Sequence, residues 1–289
     1  MKRITVALIL LFACLCCFTS AGQKRESGSL KVDGRERTWK MFLPTTLKPG
    51  APLVVVLHGY GGSGEPRPTF EFAAEKHGFA VCYPDGLPDP KGGKSWNVGY
   101  PFQEGMEVND IKALCKIARA VQKKYNLSRD NAFLTGNSNG GEMCYLMAFS
   151  DQDVFRAVAP ISGLMLVWMY RELEAPKPIP VFELHGSEDT TSLMEGDLTN
   201  EGGWGEYMPV HQAVNYFVAK NRCLQEKRDT IPGKTPENGR YVVRYKYTDG
   251  IDGIETWLYV IVHGKHSWGV DDIDTGEVVW EFFSKYLKR

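Results

Sequence analysis

The chain has 289 residues, of which 43% are hydrophobic and 24% charged, as is usual for a globular protein that buries a sizeable core. Lysine and arginine number 34 against 35 acidic residues, so the formal net charge is −1. This balance does not indicate nucleic acid or an anionic membrane surface as a partner, and a neutral polymer or small molecule fits as well as any other.

The first 21 residues have the layout of a secretory signal peptide. Lys2 and Arg3 precede an apolar run at 4–18, and small residues follow up to Ala21, the expected cleavage site. The apolar run is shorter than the roughly 20 residues of a membrane span. A lipoprotein anchor is less favoured, because the residues before the early cysteines fit a lipobox poorly. We therefore expect a secreted or periplasmic protein with a polar, frayed start at 23–29 and one domain over 22–289.

Four cysteines remain after this signal: Cys82, Cys115, Cys144 and Cys223. In an oxidising compartment they allow three disulfide pairings, and the alternative is that some are simply buried, small apolar residues. Their spacing from one another and from histidine does not match a metal site, so the sequence predicts neither a metal nor a cofactor.

Hydrophobic patterning predicts alternating strands and helices along the rest of the chain. In order these are a hairpin (29–32 and 37–43), a strand (53–57), a helix (66–77), a strand (79–86), a helix (107–126), a strand (131–136), a helix (141–149), two strands (155–162 and 179–186), a helix (209–222), an antiparallel pair (240–247 and 255–262) and a helix (276–287). Such alternation predicts an α/β fold with a mostly parallel sheet. The irregular stretches 86–106 and 187–208 are candidate binding loops.

The stretch Thr135 to Met143, TGNSNGGEM, contains the pattern Gly-x-Ser-x-Gly around Ser138. A strand is predicted before it and a helix after it, as required of a sharp turn that exposes a nucleophilic serine. The pattern alone is weak, and an ordinary turn between strand and helix would look similar. No role for Asn137 follows from the sequence.

A second loop, LHGYGG at 57–62, also follows a predicted central strand. A loop of this kind can supply a backbone N–H to an oxyanion, so we expect Tyr60 N–H and Asn139 N–H to form that site. His58 is expected to orient the loop rather than to react.

A serine nucleophile needs a base, and the base needs an orienting acid. The loop ELHGSEDTT at 183–191 offers Asp189, with Glu188 and Asp197 as rivals, and a solvated acid is the alternative reading. The late loop HGKHSWG at 263–269 offers His266, which we favour over His263 because the latter could still belong to the strand. The chain order Ser, Asp, His is that of the α/β-hydrolases.

Taken together, VVVLHGYGGSG, YPDG, WN, TGNSNGGEM, AVAPISG, HGSED and HGKHSWG resemble the secreted feruloyl esterase and polyhydroxybutyrate depolymerase-like esterases, and the chain is similar to carbohydrate esterase family 1. The resemblance covers most of the chain from residue 53 onwards. It implies an α/β-hydrolase fold and a serine esterase with Ser138, Asp189 and His266 as its triad. The chain departs from the family pattern at three positions, where relatives often have Cys, Met and Pro: Tyr60, Asn137 and Gly269. These departures weaken any transfer of the family's substrate pocket or disulfide pattern to this chain.

Three tryptophans near these motifs are candidate substrate contacts: Trp96, Trp204 and Trp268. Each could stack on a phenolic acyl group or a sugar ring, or could only pack a loop. The favoured substrate is a feruloyl or acetyl ester on a plant polysaccharide such as xylan. A polyhydroxybutyrate-type polyester is the second reading, and an inactive carbohydrate-binding protein is the alternative of another class.

Overall fold

The computed structural model describes residues 22–288, and ten of the strands in that part form one sheet. In chain order the strands are β1 (Lys24–Val32), β2 (Arg35–Leu43), β3 (Leu53–Leu57), β4 (Ala80–Pro84), β5 (Leu87–Pro88), β6 (Lys94–Ser95), β7 (Ala132–Asn137), β8 (Phe155–Ile161), β9 (Val181–Gly186), β10 (Gln225–Pro232), β11 (Tyr241–Thr248) and β12 (Thr256–Val262). The helices are α1 (Pro68–His77), α2 (Asp110–Lys124), α3 (Asn139–Ala148), α4 (Val167–Glu172), α5 (Val210–Lys220) and α6 (Thr275–Ser284).

The sheet has a parallel centre and antiparallel edges. Its strand order is β1-β2-β4-β3-β7-β8-β9-β12-β11-β10. Every neighbouring pair from β4 to β12 in this order is parallel, whereas β1 and β2 at one edge and β11 and β10 at the other join antiparallel. The predicted mostly parallel sheet and the predicted antiparallel pair at 240–262 are confirmed. The β5–β6 pair is a separate small ribbon.

Both faces of the central strands are buried, which explains why their sequences lack polar alternation. Alternate residues of β3 belong to different cores: Val55 packs in a cluster with α2 and α3, and Val54 packs in one with α1 and α6. Helices therefore cover the sheet on both sides, and the parallel strands all point their carboxyl ends to the same edge.

Two expectations about the edges were wrong. Residues 24–28 are not frayed but form the first half of β1, paired along its whole length with β2. The charged strand β10, which the sequence did not predict, pairs with β11. Both are edge strands held mainly by backbone hydrogen bonds, so neither needs the apolar pattern that sequence analysis detects.

The cysteines and helices also bear on earlier expectations. Each of the four cysteines between residues 22 and 288 is a free thiol, and Cys82 and Cys144 are fully buried. The reading as small apolar core residues therefore holds for these two. No helix in the same part of the chain combines the length and apolarity needed to cross a membrane. The predicted signal peptide at 1–21 lies outside the described residues.

Candidate active site

The three predicted triad residues follow three parallel strands at their carboxyl ends. Ser138 comes directly after β7, Asp189 is three residues beyond β9, and His266 is four residues beyond β12. Because open α/β sheets place their sites at this edge, strand topology alone brings the three loops to one side of the molecule.

Ser138 has the strained backbone of a nucleophile elbow. Its φ is 55° and its ψ −125°, a region that non-glycine residues seldom adopt and that costs about 1–3 kcal/mol. The strain is held by hydrogen bonds: the Ser138 N–H donates to the Ile161 carbonyl at 2.8 Å, and its carbonyl accepts from Glu142 N–H at 3.0 Å. The serine thus stands between β7 and α3 in one fixed orientation.

The two flanking glycines are required by close packing rather than by their own backbone angles. A Cβ on Gly136 would lie 2.6 Å from the Gly140 backbone, and one on Gly140 would lie 2.8 Å from the His58 carbonyl oxygen. Real Cβ atoms are essentially never found closer than 3.0 Å. Strand β7 and helix α3 can therefore meet at this angle only with glycine at both positions.

Asp189 and His266 are hydrogen-bonded to each other, Oδ2 to Nδ1, at 2.7 Å. The other oxygen of Asp189 accepts the backbone N–H groups of Thr191 and Ser192 at 2.8 and 2.7 Å. Burial by itself raises the pKa of this carboxyl, but the hydrogen bonds and the charge of its partners outweigh it, and the pKa is lowered. An ionised Asp189 accepts a hydrogen bond from His266 Nδ1–H, which leaves Nε2 as the basic nitrogen.

The histidine loop is fastened to the elbow through one carbonyl. Ser267 O accepts the Asn137 side-chain amide at 3.1 Å and the Ser162 hydroxyl at 3.2 Å. Asn137, which had no role in the sequence analysis, therefore ties the residue before Ser138 to the residue after His266. In the described part of the chain no hydrogen bond joins Ser138 directly to His266, a contact that unliganded sites often form only when substrate binds.

The predicted oxyanion donors are the backbone N–H groups of Tyr60, on the loop after β3, and of Asn139, the residue after Ser138. Among residues 22–288, neither Tyr60 N–H nor Asn139 N–H donates to another protein group. A Cβ on Gly59 would sit 3.2 Å from the Cβ of Ser138, so the loop that carries Tyr60 lies against the predicted nucleophile. Two free amides beside a serine are what a developing oxyanion requires.

His58 and Asn139 fix this loop. The His58 Nδ1–H donates to the Gly59 carbonyl at 2.7 Å, and Nε2 accepts the Gly86 N–H at 2.9 Å, so the ring is neutral. Burial lowers the pKa of His58, which favours the same form. The Asn139 side chain grips the backbone of Trp96 twice, at 2.7 and 3.0 Å. His58 therefore has the orienting position that the sequence predicted.

One of the three tryptophans that the sequence predicted as substrate contacts, Trp96, is not accessible to a substrate. Trp96 is fully buried, and its indole N–H donates to the His58 carbonyl at 2.9 Å, so it supports the oxyanion loop and cannot stack on a substrate. Trp268 packs its ring on Phe70, 5.8 Å between centroids, with the Arg67 guanidinium over it. Trp204 is partly exposed beside the oxyanion loop, with its ring centroid 5.4 Å from that of Tyr60.

The rival residues are occupied elsewhere. Glu188 and His263 pair with each other at 2.6 Å, both more than half exposed. His263 lies just after β12 rather than within it. Asp197 accepts backbone N–H groups of its own loop, from Thr199 at 3.2 Å and Gly202 at 2.8 Å. Within residues 22–288 no group of three or more potential metal ligands lies close enough together to hold an ion.

Comparison with known proteins agrees with this architecture. The profile of the prolyl oligopeptidase family matches residues 68–198, a stretch that contains Ser138 and Asp189. The solved acetyl xylan esterase from Aspergillus awamori superposes with a TM-score of 0.59 over 90% of this chain and 99% of its own, at 17% identity. The chain has the α/β-hydrolase fold. The fold that the sequence predicted is confirmed.

Relatives of this chain include named esterases. A bifunctional acetylxylan esterase/xylanase of Neocallimastix patriciarum is 27% identical over 176 aligned positions, which cover 59% of this chain and 24% of that relative. Feruloyl esterase D of Neurospora crassa is 24% identical over 317 aligned positions, which cover 99% of this chain and 98% of that relative. The chain thus spans about a quarter of the first relative and nearly all of the second. The predicted resemblance to feruloyl esterases is confirmed, and acetylxylan esterases are also among the relatives.

Helix α3, which follows Ser138, carries a buried acid whose protonation couples the stability of the fold to pH. Glu142, in the first turn of α3, accepts a hydrogen bond from the Tyr100 hydroxyl. Burial, reinforced by the negative charge of Glu183, raises the pKa of Glu142 to about 8. Because the folded state holds this proton more tightly than the unfolded chain, whose ordinary value is 4.5, stability falls as the pH rises from 4.5 to about 8.

Replacing Glu142 with Gln copies the neutral acid and should remove this dependence. We expect E142Q to be more stable than the wild type by roughly 2 kcal/mol at pH 8.5 and much closer to it at pH 5.5. Urea unfolding at the two pH values measures both differences. Equal pH dependence in the two proteins would show that Glu142 is ionised in the fold.

Proposed function

We propose that this protein is a serine carboxylic-ester hydrolase that works through an acyl-enzyme intermediate. The proposal rests above all on the 2.7 Å hydrogen bond between Asp189 and His266, set at the same sheet edge as the strained Ser138 elbow. A histidine that is oriented by an acid can activate a serine hydroxyl, and the elbow presents the Ser138 hydroxyl at the same sheet edge.

The chemistry runs in two halves. Ser138 Oγ attacks the ester carbonyl carbon while His266 Nε2 takes the hydroxyl proton, and Asp189 stabilises the resulting imidazolium. Tyr60 N–H and Asn139 N–H donate to the oxyanion, each contributing about 3 kcal/mol to the transition state. His266 then protonates the leaving alcohol. Water attacks the acyl-enzyme with His266 again as base, and the carboxylic acid leaves, so no cofactor takes part.

Three partly buried aromatic side chains, Tyr60, Phe102 and Trp204, form an aromatic wall, and this wall supports an aromatic acyl group as substrate. The rings of Tyr60, Phe102 and Trp204 lie 5.4 to 5.9 Å from one another, each presenting an edge to its neighbour. Tyr60 carries one oxyanion donor on its backbone, so this wall borders the position of the scissile ester. A planar feruloyl group matches it by shape and polarity.

We propose esters on plant cell-wall polysaccharide such as xylan as the natural substrates, with feruloyl favoured over acetyl. The names of the relatives, acetylxylan esterase and feruloyl esterase, support this class. The near-neutral charge of the chain suits a neutral polymer. We further propose export by the signal peptide at 1–21 and one catalytic domain over residues 22–289.

A substrate panel tests the proposal. The purified protein and S138A are incubated with methyl ferulate, acetylated xylan, polyhydroxybutyrate and a peptide amide, and the released acids are identified. We expect ferulate or acetate release that S138A lacks. Release of hydroxybutyrate alone would make the protein a polyester depolymerase, and a folded wild type inactive on every substrate would favour a binding protein.

Trp204 offers a specific prediction about the acyl group. Replacing it with Ala should lower kcat/KM for methyl ferulate about tenfold, with a much smaller effect on a phenyl acetate, because only the aromatic acyl group reaches the wall. Phe72→Ala is the matched control, since that side chain is 75% exposed on α1, away from the wall. Equal losses on both esters would remove Trp204 from the acyl site.

A further inference from the structure

Behind the Asp189 loop, strand β9 carries two fully buried ionisable side chains. Glu183 and His185 are two residues apart, so they point to the same face of the sheet, and both side chains have no exposed surface. Their contact is direct, with His185 Nδ1 at 2.8 Å from Glu183 Oε1. The ester chemistry described above uses neither residue.

The partners of the His185 ring determine its protonation. Nε2 lies 2.7 Å from the Ser192 carbonyl oxygen, which can only accept, so Nε2 carries a hydrogen. At Nδ1 the partner is Glu183, whose carboxylate also accepts the Gly163 N–H at 3.3 Å and the Tyr145 hydroxyl at 3.1 Å. These two donors, one on each carboxylate oxygen, favour the ionised form of Glu183, and an ionised carboxylate can only accept, so Nδ1 is assigned as a donor as well.

The same ring touches the triad acid. His185 Nε2 is 3.8 Å from Asp189 Oδ2, the oxygen that holds His266. Ser192 bridges the two, because its carbonyl accepts from His185 while its N–H donates to Asp189 Oδ1 at 2.7 Å. We propose that His185 is a buried, positively charged positioning residue that holds the Asp189 turn against β9 and keeps Asp189 ionised, with Glu183 as its counter-ion.

The pKa shifts agree with this charge state for His185 but not for Glu183. Burial raises the pKa of the Glu183 carboxyl, whereas the Tyr145 hydroxyl and the Gly163 N–H, one on each carboxylate oxygen, favour its ionised form, and the proposal rests on these contacts. Burial lowers the pKa of His185, but the hydrogen bond and charge of Glu183 outweigh burial and the pKa is raised. The charge of His185 is in turn among the causes that lower the pKa of Asp189. The other titratable groups that act on this cluster are Cys144, Tyr145 and Glu142 of α3 and Tyr207 of the second long loop.

In the proposed reaction these residues orient one another and do not transfer protons. Glu183 orients His185, His185 fixes Ser192 and Asp189, and Asp189 orients His266. This part of the inference rests on the proposed role of Asp189 as the triad acid. The charge state of His185 does not, so it can be measured whether or not the protein hydrolyses esters.

Side-chain 15N NMR of the wild-type protein at pH 7.5 tests the charge state directly. We expect both ring nitrogens of His185 to be protonated, while His58, whose Nε2 accepts the Gly86 N–H, shows one protonated nitrogen in the same spectrum. A His185 ring with an unprotonated Nδ1 would overturn the proposal. Inactivity on every ester would leave this result intact and refute the proposed function instead.

The positioning role is tested by removing the charge while keeping polar side chains. We expect the double variant E183Q/H185Q to lose about tenfold in kcat with little change in KM, and its acid limb in kcat/KM to move to higher pH. The limb moves up because the lost cation faces Asp189 through Nε2 at 3.8 Å, whereas the lost anion binds the other ring nitrogen, Nδ1. Without that cation the general base His266 is easier to protonate. His211→Gln, on the surface of α5, is the control. A limb that stays or moves down would contradict the role.

Discussion

Replacing Ser138 with Ala should reduce ester hydrolysis by at least about 10⁴-fold while leaving the protein folded. In the proposed mechanism the Ser138 hydroxyl is the attacking group, so without it no acyl-enzyme forms. The backbone strain at φ 55° is the same for Ala as for Ser, and the hydrogen bonds that hold the elbow come from the backbone. The free energy of unfolding should therefore change by less than about 1 kcal/mol. Initial rates on methyl ferulate and urea unfolding measure the two effects.

Ser162→Ala is the matched control for this variant. Ser162 follows the neighbouring strand β8, also has a positive φ, 47°, and its buried hydroxyl bonds to Ser267 O at 3.2 Å. Losing that hydroxyl loosens the histidine loop without removing a reacting atom, so we expect less than about a tenfold loss. If S138A kept more than a few per cent of wild-type activity, Ser138 would not be the nucleophile.

Two histidines three residues apart give the second large prediction. His266→Ala should lower kcat about 10⁴-fold, whereas His263→Ala should stay within about threefold of the wild type. The reason is the partner: His266 bonds to a buried, ionised Asp189, and His263 bonds to an exposed Glu188 that solvent screens. Steady-state rates at pH 7.5 on the two variants, each checked for folding, decide between them.

The opposite ranking would identify a different pair. If His263→Ala were the inactive variant, Glu188 and His263 would have to form the acid and base, and their surface position would then need a loop movement towards Ser138. Comparable losses in both variants would point to a general weakening of the loop instead of a single base.

Local sequence patterns predicted the centre of this fold well. The buried strands around residues 53–57, 131–136 and 179–186 are continuous apolar runs, because a parallel strand between two helical layers has no polar face. The elbow was recognisable because its serine and both glycines lie within five consecutive residues, Gly136 to Gly140. The contacts that exclude a Cβ at Gly140 nevertheless come from Leu57 and His58 at the end of β3.

The sequence could not predict the roles of residues whose function depends on contacts with distant parts of the chain. Trp96 looked like a loop aromatic free to meet substrate, yet its backbone is held by Asn139, 43 residues away, and its ring is fully buried. Asn137 acquires its role from Ser267, 130 residues away. The His185 charge depends on Ser192 and on Tyr145 of another element. Pairings of this kind leave no periodicity or spacing to detect.

Labelling with a fluorophosphonate tests whether Ser138 is a nucleophile activated by His266. The folded wild-type protein is treated with the probe, digested and mapped by mass spectrometry, with S138A and H266A alongside. We expect one phosphonylated residue, Ser138, with no adduct in S138A and much slower labelling in H266A. If the folded wild type took no label, or took it on another serine, Ser138 would not be an activated nucleophile.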